Sequence, residues 1–393
     1  MSAEIPMEAV NDFNWTGKMS PKQDPKVSFV VPCYKLAHLL PECVNSILGQ
    51  SFGDFEILIM DDHSPDDTPE VAATFGDSRV QHIRNDPNLG ALRNYNKGIA
   101  LSRGKYVWLI SADDYLRSPR VLERYVQLLE TQPNVGYVFC PGIGVRDGKE
   151  TGVIRYSTLG GPDRVLRGHD FLATLLKGNL VLAPATLARR DCYERITYFP
   201  IDLRWAGEPV DMIWGGDWYV WLAFALHHDV GYFAEPMVCY REHALAMTAI
   251  VTDAAIRNCF LADVAVPWMI KQQAEVLGHR HVVVNCLRSL AAEYARHLVG
   301  KQYRSSVSKI SAEDFEDSLC RNTSDEAERA WMRAHTLAAV GDQLFDRGDR
   351  AAARHAVRQA TKQDPWMLKA QLKRLLLSLG APGDFLRRLL QSL

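Results

Sequence analysis

Short apolar runs alternate with helical spacings through the first third of this chain. Val27-Ser28-Phe29-Val30-Val31 predicts a strand stopped by Pro32. Leu40, Val44, Ile47 and Leu48 recur on one side of a helix between Leu39 and Gly49. Phe55 to Met60 predicts a second strand, and Pro69 to Phe75 a helix with proline in its first turn. Val80 to Ile83 predicts a third strand. The helical pattern from Leu89 to Ser102 should end at Gly104, a glycine past the last turn. Lys105 to Ile110 then predicts a strand, Pro119 to Glu130 a helix, and Val135 to Cys140 another strand. Farther on, Gly231 to Tyr240 reads as one more strand. Alternation at this spacing marks an α/β fold with a mostly parallel central sheet.

After about residue 250 the strand signals vanish and helical runs continue from Asp253. Ala330 to Asp364 predicts two amphipathic helices split by Asp346-Arg347-Gly348-Asp349 and closed by Pro365. The spacing of Gly341, Gly348, Ala352, Ala356, Ala360 and Pro365 resembles one tetratricopeptide unit. Any helical hairpin with small residues at its crossing shares that spacing, so a helical cap or scaffold is the simpler expectation. The organisation expected is a loose leader over 1–25, an α/β domain over 26–250 and a helical C-terminal domain over 251–393.

Two of the apolar runs end in paired carboxylates. Ile57-Leu58-Ile59-Met60 leads into Asp61-Asp62-His63-Ser64, and Tyr106-Val107-Trp108-Leu109-Ile110 leads through Ser111-Ala112 into Asp113-Asp114. Buried strands of parallel sheets read as continuous apolar runs, and ligands of open α/β sheets bind outside the carboxyl ends of such strands. Two acidic pairs at one sheet edge form a crevice suited to a divalent cation and, through it, a diphosphate. Composition narrows the class further. At 393 residues, 47% hydrophobic and 23% charged, the chain is an ordinary globular protein of two or three domains. A net charge of -2 excludes an electrostatic case for nucleic acid as main partner. The eight cysteines are scattered without a C-x-x-C pair, which argues against a zinc site or disulfide framework and fits a reducing cytoplasm. No apolar run approaches the ~18–20 residues that span a bilayer. Glu4, Glu8 and Asp12, with no basic stretch before them, do not read as a secretory signal.

The order of motifs is familiar. Val30-Val31-Pro32-Cys33-Tyr34, Asp61-Asp62-His63-Ser64, Asn88-Leu89-Gly90 with Arg93, Asn94 and Gly98, Asp113-Asp114, and Gly216-Asp217-Trp218 together resemble a family 2 glycosyltransferase. The resemblance covers about Lys26 to Thr248 and implies the GT-A fold, a nucleotide-sugar-binding sheet that merges into an acceptor-binding part. It implies that Pro32 and Tyr34 lie along the base of the nucleotide. Asp62 would accept a hydrogen bond from the base, with Arg93 adding a contact to ribose or phosphate. Many relatives read Asp-x-Asp-Asp at the second acidic site, whereas Ser111 stands first here. Asp113 would then face the ribose or a metal-bound water, and Asp114 would ligate Mg²⁺ or Mn²⁺ with His243 as a further ligand. Two adjacent carboxylates repel without such a counter-charge.

Asp217 takes the place of the family's catalytic base, because removing the proton of an attacking sugar hydroxyl accelerates transfer by ~10²–10⁴. Trp214, Gly216 and Trp218, with Trp205, would line the sugar pocket, aromatic faces being suited to sugar C–H surfaces. The implied activity is inverting transfer from a nucleotide-diphosphate sugar, UDP by family habit, to a glycan or lipid-linked acceptor in polysaccharide biosynthesis. The enzyme would be cytoplasmic, with the C-terminal helices open to a membrane surface or protein partner. Bland readings remain beside these roles. Tyr34 could be a core tyrosine, Asp66 and Asp67 read as turn and cap residues, and Asp217 could simply cap a helix. A sugar-phosphate nucleotidyltransferase would need a glycine-rich phosphate loop after the first strand, which Pro32-Cys33-Tyr34-Lys35 lacks. No G-x-G-x-x-G supports a dinucleotide-binding dehydrogenase. An inactive nucleotide-sugar-binding scaffold would not need both Asp114 and Asp217.

Overall fold

The computed structural model describes residues 24–205, 207–243, 252–299, 312–367 and 371–372. Most of the expected leader, and everything after residue 372, lies outside the described residues. In chain order the first strands are β1 (Val27–Cys33), β2 (Phe55–Asp61), β3 (Val80–Arg84), β4 (Tyr106–Leu109), β5 (Tyr115–Leu116), β6 (Val135–Phe139) and β7 (Gly142–Arg146). They are followed by β8 (Lys149–Val153), β9 (Arg164–Leu166), β10 (Thr186–Arg189), β11 (Leu203–Trp205), β12 (Glu208–Val210), β13 (Asp229–Tyr232) and β14 (Val238–Arg241). The helices of the sheet region are α1 (Leu40–Leu48), α2 (Thr68–Ala73), α3 (Ala91–Leu101), α4 (Val121–Thr131), α5 (Gly168–Leu175), α6 (Arg190–Arg195) and α7 (Gly216–His227). Helices alone follow: α8 (Asp253–Val276), α9 (Arg280–Val299), α10 (Ala312–Asn322), α11 (Glu326–Asp346) and α12 (Arg350–Gln363).

The main sheet runs β3-β2-β1-β4-β10-β6-β13-β9. Its first four strands are parallel. β10 is antiparallel to both neighbours, β13 is parallel to β6, and β9 is antiparallel at the edge. The mostly parallel sheet expected from the sequence is present, and with it the GT-A fold. A smaller sheet, β5-β14-β7-β8, lies beside it.

Three local expectations give way to the structure. Pro32 does not stop β1, which continues to Cys33 in register with Asp61. The Pro32 carbonyl accepts from the Ala112 amide at 3.1 Å, and its missing N–H falls on the side where β4 has already ended. Gly104 does not cap α3, which ends at Leu101 with Ser102 extended. A Cβ at Gly104 would stand 2.6 Å from the Ser28 backbone nitrogen, so close packing against β1 requires the glycine. The run Gly231 to Tyr240 is two strands, β13 and β14, in different sheets. Glu235-Pro236 interrupts the run, and proline cannot donate to a central ladder.

One face of the main sheet packs a stack of aromatic rings, Phe29 on Trp108, Trp108 on Tyr125 and Tyr125 on Phe233, with centroids 5.5, 4.9 and 5.3 Å apart. The other face packs α7, whose residues Trp218 to Leu226 are all buried, as a helix apolar all round must be. The same apolar core continues from α7 into Phe260, Val266, Leu290, Tyr294, Phe315 and Met332 of the later helices. The division near residue 250 therefore separates kinds of element without separating two cores. α11 and α12 form the expected hairpin, crossing where a Cβ on Gly341 would meet Val357 at 2.5 Å.

Candidate active site

The carboxyl ends of β2 and β1 present the first acidic pair and Tyr34. Asp61 is fully buried. It accepts from the Ser64 amide at 2.8 Å, from Arg84 at 2.6 Å and lies 3.2 Å from His82 Nε2. Burial alone would raise its pKa, but the bonds from Ser64, Arg84 and His82 together hold it below the ordinary carboxylate range. Asp62 faces the loop before α3. Its Oδ1 accepts from Asn85 Nδ2 and the Leu89 amide, both at 2.8 Å, and its Oδ2 from the Gly90 amide at 2.9 Å. Gly90 takes φ +80 to make that turn. Tyr34 is 45% exposed just past β1, which rules out a core role, and the Lys35 ammonium stands over its ring, 4.9 Å from the centroid. Pro32 is buried beneath it. Arg93 gives its guanidinium to Asp202 at 2.7 Å. No nucleotide-side contact of Arg93 is needed to explain it.

The second pair sits past β4, on a turn closed by the Asp114 amide bonding to the Ser111 carbonyl at 3.0 Å. Asp114 is 3% exposed and its Oδ1 accepts from the Arg241 amide at 2.9 Å. Burial first, and then the charge of Asp113, hold its pKa well above the ordinary range. Asp113 is only partly buried, and its Oδ2 lies 2.9 Å from His243 Nε2. Its Oδ1 is a buried oxygen with no hydrogen-bond partner. β14 of the small sheet explains this arrangement, since it carries Arg241 to Asp114 and His243 to Asp113. Arg241 is anchored by Glu42 of α1 at 2.5 Å. Of the two carboxylates, Asp113 holds the fully buried oxygen without a partner, and Asp114 is bonded through its Oδ1. Carboxylate oxygens beside an imidazole suit a divalent cation such as Mn²⁺ or Mg²⁺, and an orphaned buried oxygen is the feature such an ion would satisfy.

Asp217 is the second residue of α7. Its carboxylate accepts from Asn179 Nδ2 at 3.0 Å and the Trp218 amide at 2.7 Å. Burial pushes its pKa up to about 6, against the opposing effect of those two bonds. Tyr95 of α3 shows how the acids converge. Burial raises its pKa, and the charges of Asp113, Asp217, Asp114 and Asp62 all raise it further. Four carboxylates from three segments thus act on one ring. Tyr156 marks the rim, its pKa pushed up to about 12 by burial and then by Tyr240, Asp217 and Glu242. Asn179, Tyr95 and Tyr156 carry no motif that singles them out in the sequence.

The tryptophans divide. Trp218 is 5% exposed and donates to the Leu175 carbonyl at 2.8 Å, so its ring is core and offers no face to a sugar. Trp205 is buried against Trp268 and donates to Ser318 Oγ at 2.9 Å. Gly216 lets α7 approach Phe199, 3.1 Å from where a Cβ would stand. Trp214 alone of the group lines open space. It borders a cleft of about 670 Å³ with Gly90, Arg93, Asp202, Pro209 and Met212.

Residues 28–185 match the family profile described as glycosyl transferase family 2. This part of the chain is similar to glycosyltransferase family 2. Within it lie both acidic pairs, Tyr34 and Asn179, while Asp217 and His243 fall beyond the matched segment. Glycosyltransferase GlyG of Streptococcus pneumoniae serotype 4 is 32% identical over 111 residues, 28% of this chain and 37% of GlyG. An uncharacterized glycosyltransferase of Nostoc is 29% identical over 187 residues, 46% of this chain and 55% of that protein. An uncharacterized protein of Mycobacterium tuberculosis is 36% identical over 117 residues, and the chain spans 36% of its length. Over nearly the whole chain the fold resembles TarS of S. aureus, solved in complex with UDP-GlcNAc. The TM-score is 0.54 at 16% identity, covering 91% of this chain and 88% of TarS. That likeness extends the shared fold beyond the family 2 segment. No helix among the described residues is long and apolar enough to cross a membrane.

Proposed function

We propose that the chain transfers a sugar from a nucleotide-diphosphate donor to a hydroxyl of a glycan or lipid-linked acceptor, with inversion at the sugar. The observation that carries this reading is Asp217, a carboxyl with pKa about 6 that is held by Asn179 and the Trp218 amide and, like the second acidic pair, acts on Tyr95. Near neutral pH it is ionised and still basic enough to take a proton, which is what a general base requires. The acceptor hydroxyl gives its proton to Asp217 as its oxygen bonds the anomeric carbon. The bond from that carbon to the diphosphate breaks on the opposite face, and the nucleoside diphosphate leaves. Asp113 and His243 would hold Mn²⁺ or Mg²⁺, with Asp114 the buried carboxyl next to Asp113. When bound, that cation neutralises charge on the departing diphosphate.

Tyr34 lies along the base and Asp62 orders the Asn88-Leu89-Gly90 turn that closes over it. UDP is the carrier we favour, since TarS, whose fold this chain shares, is solved with UDP-GlcNAc and with UDP. The cleft bordered by Trp214 receives the acceptor. The C-terminal helices, packed into the same core, bear on the acceptor or a partner.

Asp217→Asn tests this most directly. Asparagine keeps the size and most hydrogen bonds but takes no proton at neutral pH. Transfer to a panel of glycan acceptors should fall by roughly 10²–10⁴, while nucleotide affinity on the same preparation stays nearly unchanged. The native rate should also decline as pH drops through about 6. A collapse of nucleotide affinity would move Asp217 to the donor site, and full activity would reduce it to a helix cap.

A further inference from the structure

Gly278 and His279 in the turn between α8 and α9, with Arg280 and His281 that open α9, take no part in the acidic site. Gly278 adopts φ +74 to end α8, and the two histidines after it lean on His169, near the start of α5. The His279 ring stands edge-on to His169 with centroids 4.6 Å apart, and the His281 ring lies 5.0 Å from His169. The contact joins the family 2 segment to the helical region.

Hydrogen bonding settles which nitrogens face each other. His169 Nε2 lies 3.1 Å from the Leu226 carbonyl oxygen. A carbonyl only accepts, so Nε2 carries the proton, and in the neutral ring Nδ1 is a lone pair. That Nδ1 lies 3.1 Å from His281 Nε2. Two nitrogens bound to one tetrahedral zinc ion at ~2.0–2.1 Å stand about 3.3 Å apart, so the pair is already at ligand spacing. A backbone carbonyl accepting the far N–H is also the usual outer support of a metal-bound imidazole. No ion pair joins these three rings to a carboxylate among the described residues.

We propose that His169, His279 and His281 form a second metal site, for a borderline divalent transition ion of the zinc class, that fastens the helical region to the glycosyltransferase domain. His279 completes the set by turning its half-exposed ring. Imidazole favours Zn²⁺, Ni²⁺ or Cu²⁺ where carboxylates favour Mg²⁺ and Mn²⁺, so the two sites select different ions. Whereas the histidine cluster needs His279 to turn, among the described residues only Asp263, Glu293 and His297 already bring three such ligand atoms within 4.8 Å of one another. There the Arg296 guanidinium already bonds both carboxylates, and a second cation would have to displace it.

The test titrates chelator-stripped full chain with Zn²⁺ alone against a chromophoric chelator, and records thermal unfolding with and without the ion. About one equivalent should bind and raise the unfolding midpoint of the wild type. His279→Ala and His281→Ala should each weaken binding by roughly 10- to 100-fold or more, and His281→Asn should match His281→Ala. Asp113→Asn should leave this binding intact. Zinc binding unchanged in the His279→Ala/His281→Ala double variant, or lost with Asp113→Asn, overturns the proposal. Every arm reads ion binding and none reads sugar transfer, so failure here and failure of the transfer reading are separate results.

Discussion

Asp61-Asp62 and Asp113-Asp114 occupy the same place at two strand ends, yet their oxygens are answered differently. In the first pair every carboxylate oxygen accepts at least one protein donor, from Ser64, His82 and Arg84 for Asp61 and from Asn85, Leu89 and Gly90 for Asp62. In the second pair one amide reaches Asp114, one imidazole reaches Asp113, and Asp113 Oδ1 is left without a partner. Opposite pKa directions follow. Asp61 is held down by its donors, whereas Asp114 is held up by burial and by Asp113. A carboxylate saturated from within shapes a loop. A carboxylate with an open lone pair in a partly buried crevice is where an outside cation can bind.

The largest effect expected of this contrast is on catalysis. Asp113→Asn removes one charge and the open anionic oxygen, so transfer should fall by roughly 10²–10⁴ and its dependence on Mn²⁺ should flatten. Steady-state transfer against Mn²⁺ concentration checks it. If Asp114→Asn alone abolishes the cation response and Asp113→Asn keeps it, the roles within the pair are exchanged.

Next in size is a stability effect confined to the first pair. Asp61→Asn strips the charge that answers Arg84 and His82, leaving a buried cluster unbalanced. We expect a loss of ~2–4 kcal/mol, measured by urea unfolding at pH 7. The sign with pH is fixed. The folded pKa lies below the unfolded one, so the stabilisation is present above the unfolded value and is lost as pH falls through the folded value. The gap between wild type and variant should therefore narrow in acid. An equal gap at pH 7 and pH 3 would show that the charge is not what Asp61 contributes.

Much of this was legible in the chain, and the illegible part has physical causes. β1, β2 and β4 are buried on both faces, so they read as apolar runs, and those of β2 and β4 lead into their acids. The small sheet was hidden because β8 is Lys149-Glu150-Thr151-Gly152-Val153, exposed throughout, and β14 was fused to β13 by an apolar run spanning Glu235-Pro236. Without that sheet, nothing in the sequence indicates that Arg241 caps Asp114 or which acid keeps a free oxygen. Adjacent residues on a turn point differently, and hydropathy does not encode the direction. The tryptophans misled for a related reason. Trp218 suits a sugar face and a core equally well, and only its bond to the Leu175 carbonyl decides. Asn179, a lone amide in a loop, has no periodicity to announce it, although it holds the carboxyl on which the transfer reading rests.

The smallest effect is the sharpest test of the contrast, because its sign is opposite to that of Asp61→Asn. Asp114 is buried beside Asp113, and its charged form is disfavoured in the folded protein. Its folded pKa lies above the unfolded one. The resulting cost is absent below the unfolded value, grows between the two values and is complete above the folded one. Asp114→Asn removes that charge and keeps an oxygen to accept from the Arg241 amide. In chelator at pH 8 the variant should be more stable than wild type by about 1 kcal/mol, a rise in unfolding midpoint of roughly 2 °C for a chain of this size. The advantage should vanish near pH 4. Saturating Mn²⁺ should also shrink it, since a cation at Asp113 screens the repulsion that makes Asp114 costly. A destabilised Asp114→Asn in chelator would mean that its carboxylate, like Asp61, is held by donors and not opposed by its neighbour, and the division between the two pairs would fail.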